Sequence, residues 1–314
     1  MLFDKDFALR HMVPAALFFI ISLGIMHGFG LFQNSIVLTE SRILLGIFLI
    51  GIASWIGGAC LFMLNTSIIR LMEGYGRCNP ARLLLFFQKR RYMRMKKELS
   101  ELDKKLQYAI ARNQVFSLES QSRRNQLSLE LATRFPDDKR WVLPTAFGNT
   151  IRAFEAYPRV MYGLESIQGW ARLLAVIPKE YRELVDETSA PMHFWINIWV
   201  ISILVIAQYN GYCLVYGWEW RMLFIPFAAF AVACIASRMA RNAASDWGEW
   251  VKAAFDVFLP ELWARLGFLH PDKIEQEQQI WVGFSQAIIY RSPSSLVAVR
   301  NKWRAKRHDE SLTS

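Results

Sequence analysis

The sequence predicts an all-α integral membrane protein. It would have four transmembrane helices in two hairpins, a helical cytosolic domain inserted between the hairpins, and a helical C-terminal segment. Hydrophobic residues make up 53% of the 314 residues, with 22 Phe and 12 Trp, a high content for a soluble fold. Four stretches contain no Asp, Glu, Lys or Arg, and they cover residues 11–39, 43–69, 188–218 and 222–237. Polar and basic segments with helical spacing of their apolar residues separate them.

The length of each charge-free stretch determines whether it can cross a bilayer as a helix. A helix rises about 1.5 Å per residue, so about 20 apolar residues cross the hydrocarbon of a bilayer. The first three stretches exceed this length. The fourth has 16 residues and is marginal, although the flanking "WEW" can sit at the lipid interface and extend it. The first stretch is too long for the apolar core of a signal peptide, so we expect it to be retained.

Basic residues predict the orientation because Lys and Arg beside membrane spans are retained in the cytoplasm. The link between the first two spans carries only Arg42, and the link between the last two carries only Arg221, which leaves 35 of the 37 basic residues inside. Both termini are then cytoplasmic. The predicted domains are a first hairpin at 1–69, a cytosolic domain at 70–187, a second hairpin at 188–237, and cytosolic helices with a basic tail at 238–314.

The first part of the cytosolic insertion reads as one long basic helix. Its apolar residues Leu99, Leu102, Leu106 and Ala109 are spaced three, four and three apart. Two interpretations stay open. The helix could lie solvated near anionic lipid headgroups, or it could form a coiled-coil contact between subunits or with a partner.

The second part of the insertion predicts short amphipathic helices separated by prolines. Thr145 can cap a helix in which Phe147, Ile151 and Phe154 form one apolar stripe. We expect Pro158 to end this helix. A second stripe, formed by Trp170, Leu173, Leu174 and Ile177, is expected to end at Pro178, and after the last span Trp247, Trp250, Val251, Ala254 and Val257 are predicted to share a helix face that Pro260 punctuates.

Several functional classes receive no support from the residue types present. The net charge of +10 is mostly a topology signal, and no nucleic-acid recognition motif accompanies it. The cysteines lack a C-x-x-C pair and read as small packing residues. They are Cys60, Cys78, Cys213 and Cys234. His193 and His270 do not fall at metal-ligand spacing, so we expect no metal and no cofactor.

Two sequence blocks resemble a widespread family of bacterial multi-pass membrane proteins that carry no assigned activity. The blocks are "LPTAFGNTIRAFEAYPRVMYGLESIQGWARLLAVIPKEY" and "DWGEWVKAAFDVFLPELWARLGFLHP". They match the patterns LPTxxGNxxRxxE, YGx(D/E), WxRL and GExxxxAFD through Pro144, Thr145, Gly148, Asn149, Arg152, Glu155, Tyr162, Gly163, Trp170, Arg172, Pro178, Gly248, Glu249, Phe255 and Asp256. Ala171 stands where the family has proline, and Leu259 with Pro260 where it has a basic residue. The resemblance implies a multi-pass topology in a bacterial inner membrane, and it implies no reaction.

The charged residues of these blocks are the cytosolic candidates for a site. They are Arg152, Glu155, Arg172, Asp246, Glu249 and Asp256. Glu155 lies three residues after Arg152, and Glu249 three after Asp246, so each pair shares a helix face. The arginines could pair with the acids and fix the shape of the domain. The same groups could instead recognise a ligand or ion, or act as general bases, although no nucleophile with a base is apparent and an enzyme is not expected.

Polar residues within the spans are the intramembrane candidates. His27 lies in the first span, and ionisable groups at membrane depth are often functional. Asn197 and Gln208 lie eleven residues apart in the third span, close to three helical turns, so they share a face. They could line a water-filled path, or they could hold helices together by hydrogen bonds.

Three hypotheses of function follow. The first, and the leading one, is a homo-oligomeric channel or pore-like membrane effector whose basic cytosolic helices form a vestibule or gate. The second is a non-conducting membrane sensor or scaffold that recruits a soluble partner, in a bacterial defence or stress operon. The third is a membrane-bound enzyme acting on lipid through its acidic residues. The expected partners are a lipid bilayer, further copies of the chain and a soluble protein, and no nucleic acid.

Overall fold

The computed structural model describes residues 5–31, 40–77, 79–268 and 274–292. Every regular element in these ranges is helical, which confirms the predicted all-α class. Four helical segments are long and apolar enough to cross a membrane: Ala8–Gly28, Leu44–Glu73, Lys179–Tyr216 and Trp220–Arg265. Cys78, His270 and the basic tail lie outside the described residues.

The chain divides into two compact units. Unit 1 comprises Met1–Asn79 and Glu187–Ala244, and unit 2 comprises Pro80–Asp186 and Ser245–Ser314. The first part of unit 1 contains α1 (Lys5–Phe7), a π-helix (Ala8–Met12), α2 (Val13–Gly28) and α3 (Glu40–Glu73). The others are α4 (Leu85–Ala111), α5 (Leu118–Arg134), α6 (Ala146–Tyr162), α7 (Ser166–Leu173), α8 (Lys179–Tyr216), α9 (Phe224–Arg265) and α10 (Ile274–Ile289), with short 3-10 turns at Pro80–Leu84, Lys139–Trp141 and Trp220–Met222.

Unit 1 is a bundle in which glycines allow close helix packing. A Cβ built on Gly58 of α3 would lie 3.1 Å from the Cα of Met12, so the start of the first span and α3 approach at backbone distance. Farther along the first helices, Phe29 packs its ring against Tyr209 and Tyr212 of α8. Ile25 is fully buried in this region of the bundle.

The spans of unit 1 differ strongly in burial. In α8, 39% of the most apolar 18 residues are buried, whereas only 11% are buried in α3 and 11% in α9. The α8 span is therefore the central helix of the bundle. Most of the apolar surface of the α3 and α9 spans is left for lipid or for another chain.

Unit 2 begins with a helical hairpin formed by α4 and α5. The predicted apolar stripe is on α4, where Leu99 and Leu102 pack against a buried cluster that includes Leu127. Ion pairs flank this seam, among them Arg124 with Asp103 at 2.6 Å. The heptad stripe thus finds a partner within the same chain, so no second subunit is needed to cover it.

The rest of unit 2 packs the end of α9 and α10 against α6 and α7. Trp263 and Trp281 are buried edge to face, with ring centroids 5.1 Å apart. Ser285 of α10 accepts a hydrogen bond from the backbone N–H of Glu165, 3.0 Å away. Phe255 of α9 is fully buried and lies beside Trp170 of α7.

Two predicted helix ends are wrong. Pro158 lies inside α6 and Pro260 lies inside α9. Each proline removes one backbone hydrogen bond, but Pro158 is only one turn from the end of its helix, where its carbonyl accepts from Leu164 N–H. Pro260 is flanked by the buried Leu259 and Leu262, whose packing outweighs the missing bond. The break around Pro178 is confirmed, since α7 ends at Leu173 and α8 begins at Lys179.

The predicted apolar stripes of unit 2 are only partly accurate. Phe147, Ile151 and Phe154 are buried on one face of α6 as expected. On α9, however, Trp250 and Val257 are exposed, and the buried face instead includes Phe258 and Leu262. The buried face follows the close approach of Gly248 to Phe154, and that contact cannot be read from the spacing of apolar residues.

Candidate functional site

Asn197 and Gln208 of α8 face the first helical segment of unit 1. The Nδ2 of Asn197 donates to the backbone carbonyl of Arg10 at 2.7 Å and lies 2.9 Å from Nδ1 of His11. Ser22 donates its hydroxyl to Oε1 of Gln208 at 2.8 Å. The two residues share one face, as their spacing predicts. In this arrangement they act as hydrogen-bonding contacts between helices.

His27 occupies a different environment from these two residues. It lies in the last turn of α2 and is exposed, and its side chain makes no hydrogen bond among the described residues. The neighbouring Phe29 stacks against tyrosines of α8, and aromatic residues of this kind are enriched where a bilayer meets water. The structure therefore does not bring His27 together with Asn197 or Gln208.

Unit 1 contains a buried polar layer that the sequence patterns do not predict. His11 is 4% exposed, and its ring lies between Phe7 and Phe62. On α8, Nδ1 of His193 lies 3.1 Å from Oδ1 of Asn65 of α3. His193 precedes Asn197 by four residues, so the two polar side chains share a face, and this spacing is the signal that could have revealed the layer.

The backbone next to this layer departs from the α-helix. Residues Ala8–Met12 form a π-helix, a distortion that often occurs at functional positions. The Oδ1 atom of Asn197 is buried and has no hydrogen-bond donor among the described residues. A bound water would satisfy it, because buried carbonyl oxygens are nearly always hydrogen-bonded.

In unit 2, Arg152 and Glu155 form the predicted pair. Their side chains are 3.3 Å apart, and they line a small cleft of about 50 Å³ with Trp141, Arg159 and Glu165. The guanidinium groups of Arg152 and Arg159 lie over the Trp141 ring, at 5.6 and 5.2 Å from its centroid respectively. Burial raises the pKa of Glu155, and the charge of Arg152 partly opposes that rise.

Asp256 binds two tyrosines instead of a predicted arginine. The hydroxyls of Tyr157 and Tyr162 donate to its carboxylate at 2.9 and 2.7 Å. Burial first, and the hydrogen bond to Asp256 second, raise the pKa of Tyr157 to about 12. Both tyrosines therefore stay protonated at neutral pH and join α6 to α9.

The other charged residues predicted for a cytosolic site do not come together in one place. Glu249 accepts from Lys252 at 2.6 Å on its own helix, and Arg172 donates to the carbonyl of Gln168 at 2.8 Å. Asp246 is exposed and makes no ion pair among the described residues. Across the described ranges, no three His, Cys, Asp or Glu side chains come together as a metal site would require.

Most uncharged residues of the two sequence blocks have structural roles. Thr145 accepts from Gly148 N–H at 2.9 Å and caps α6. Asn149 is fully buried and bonds both the N–H and the carbonyl of Leu143, which closes the loop before α6. Gly163 has a φ of +79° at the end of α6, a conformation that suits glycine.

The larger cavity of unit 2 lies elsewhere. It encloses about 280 Å³ and is lined by Trp170, Leu174, Ile177, Arg182, Val185, Asp186 and Trp247. The Nε1–H of Trp247 is buried and has no acceptor among the described residues. Arg182 makes no ion pair within the described ranges, and its guanidinium is on the exposed side of α8. The predicted site residues are not part of this cavity, although Trp170 belongs to the first block.

Comparison with models of known protein families, with characterised proteins and with solved structures gives no match to this chain. The described residues thus define a class only: an all-helical protein with four candidate membrane-spanning helices, compatible with a polytopic membrane protein. The family resemblance carried by the two blocks stays a prediction.

Proposed function

We propose that this protein is a non-conducting membrane sensor whose helical unit 2 binds a small ligand on the cytosolic side. The observation that carries the proposal is the cavity of unit 2. Its walls contain two indole rings, its rim contains a cation without an ion pair among the described residues, and a buried indole N–H lacks an acceptor there. A concave cavity that combines aromatic walls with a few convergent polar groups is a usual form of a ligand site.

The membrane arrangement in this proposal is two hairpins with both termini in the cytoplasm of a bacterial cell. Contacts within unit 1 support a parallel first span and α8, as two hairpins require of the first and third spans. The start of the first span meets α8 near its first apolar turns through His11 and Asn197, and the later Phe29 meets Tyr212. The basic residues outside the spans support the assignment of unit 2 to the cytosolic side.

The chemistry of the cavity favours a flat apolar body with an acidic group. The two tryptophans provide faces for an aromatic ring, Arg182 can pair with a carboxylate, and Trp247 can donate to one of its oxygens. Asp186 on the rim disfavours a ligand with excess negative charge. A volume of about 280 Å³ accommodates one bicyclic ring with a short tail.

Titration calorimetry on the full chain in lipid nanodiscs tests this proposal, with indole-3-acetate and tryptamine as probes of opposite charge. We expect indole-3-acetate to bind more tightly than tryptamine, because Arg182 and the indole N–H of Trp247 both favour a carboxylate and only Asp186 favours an amine. Arg182→Gln should weaken indole-3-acetate about tenfold, because it removes the cation, and Leu174→Phe should weaken binding by narrowing the cavity. Lys179→Gln is the control, since Lys179 lies on α8, pairs with Glu183 and is not in the cavity lining.

Two results would count against the sensor. The first is no binding of either probe to the unaltered protein. The second is binding that Leu174→Phe leaves unchanged, which would place the probe elsewhere on the protein.

A second candidate function is the homo-oligomeric channel. The observation that favours it is the low burial of the α3 and α9 spans, 11% in each, which leaves long apolar faces for neighbouring copies. A pore between copies would have to use these faces, because Asn197 and Gln208 are engaged with the first helical segment.

A further inference from the structure

The entry to α4 presents an exposed apolar cluster, which we call the α4 wedge: Leu83, Leu84, Phe86 and Phe87. Their exposed fractions are 80%, 48%, 66% and 64%. The two phenyl rings meet edge to face, with their centroids 5.8 Å apart. Large apolar side chains clustered at a surface mark a site of interaction with another molecule or with lipid.

The wedge is followed by basic residues. From residue 74 to residue 97 the chain contains eight Lys or Arg and no Asp or Glu. Arg91 of this set is already paired with Glu130, and Lys96 donates to the carbonyl of Asp137. Lys89, Arg90, Arg94 and Lys97 make no ion pair with any described residue. Apolar residues beside several such cations are typical of helices that lie in the headgroup region of an anionic membrane.

The position of the wedge in the chain limits how far it can be from a bilayer. The α3 span ends at Glu73, and Leu83 follows ten residues later. Ten residues span at most about 35 Å when fully extended. If α3 crosses the membrane, the wedge stays within that reach of the leaflet from which the chain emerges, the leaflet whose flanking residues are strongly basic.

We propose that the α4 wedge inserts into the headgroup region of the cytosolic leaflet, and that Lys89, Arg90 and Arg94 select anionic lipid there. Phe86 and Phe87 enter the interface, and the cations pair with lipid phosphates. The inference depends on α3 being a membrane span and is independent of the ligand cavity.

The α4–α5 loop provides a matched control. Val115 is 96% exposed and just as apolar, but it lies beyond the other end of the 27-residue α4, about 40 Å along the helix from the wedge. If exposure and apolar character alone caused insertion, Val115 would behave as Phe87 does.

The test uses nitroxide labels on the full chain in nanodiscs, after Ser replaces the native cysteines. Labels at Phe87→Cys and Val115→Cys are compared in phosphatidylcholine and in a 3:1 mixture with phosphatidylglycerol. Power saturation measures the access of dissolved oxygen, which concentrates in lipid, and of a water-soluble nickel chelate. In the anionic mixture, we expect the ratio of oxygen access to nickel access at position 87 to rise several-fold. The label at position 115 should stay open to nickel in both.

A variant combining Lys89→Gln, Arg90→Gln and Arg94→Gln should remove the difference between the two lipid mixtures. Nickel access at position 87 equal to that at position 115 would overturn the inference. Exclusion of both reagents would also overturn it, because the wedge would then be covered by protein. Equal lipid depth in both mixtures would overturn the role of the basic residues.

Discussion

At the residue scale, the sequence blocks act mainly through backbone geometry. Thr145 caps a helix, Asn149 replaces a missing backbone partner for Leu143, and Gly248 lets Phe154 lie directly against α9. These roles explain why small and polar residues occur among buried apolar ones.

Gly163 gives the sharpest test at this scale. A Cβ there would lie 2.7 Å from the backbone oxygen of Gln278, at a φ of +79°. Gly163→Ala should therefore combine the left-handed strain of about 1 kcal/mol with a steric clash costing about 1–3 kcal/mol more. Thermal unfolding, with hydrogen exchange of α6 and α10, would measure the loss. Gly267→Ala is the control, since its φ is +74° and no described atom lies within 4 Å. Equal effects of both changes would contradict the clash.

At the element scale, α8 organises unit 1 through a few polar contacts in an apolar bundle. Asn197 holds the first helical segment at the π-helix, and Gln208 holds it about three turns later through Ser22. Hydrogen bonds between membrane helices contribute about 0.6–1.7 kcal/mol each. Such contacts determine which helix faces which, because apolar packing alone is weakly selective in lipid.

Replacing Asn197 tests this organisation. Asn197→Ala removes the bond to the Arg10 carbonyl and the contact with His11, so we expect a fall of about 2–4 °C in the melting temperature of the detergent-solubilised protein. Asn210→Ala provides the comparison. Asn210 is exposed on the same helix, and its side chain donates to the carbonyl of Ile206, one turn earlier in α8. A fall in melting temperature as large for Asn210→Ala would argue against a specific role for Asn197.

At the scale of the whole molecule, the sensor and the channel differ in conduction and assembly. Current recordings across bilayers containing the purified protein, with mass measurement of the same sample, separate them. We expect no current for the sensor, with and without indole-3-acetate, because the described spans place their polar residues against each other. A stable current from particles whose mass is a multiple of one chain would replace the sensor with the channel.

The sequence by itself determined the all-helical class, the four apolar spans, the Thr145 cap and the α4 helix. These features depend on local patterns: charge-free length, 3.6-residue spacing and capping chemistry. It did not predict that α6 continues past Pro158. It also did not predict that Asp256 accepts hydrogen bonds from tyrosines and not from arginines.

Only the tertiary structure decided those outcomes, along with the polar layer around His11 and His193 and the cavity between Trp170 and Trp247. Each depends on residues that lie far apart in the chain, such as Tyr157 and Asp256, 99 positions apart. The physical reason is that burial and hydrogen bonding are properties of packed neighbours. Local spacing assigns a side chain to a helix face, but the packing of helices determines what that face meets.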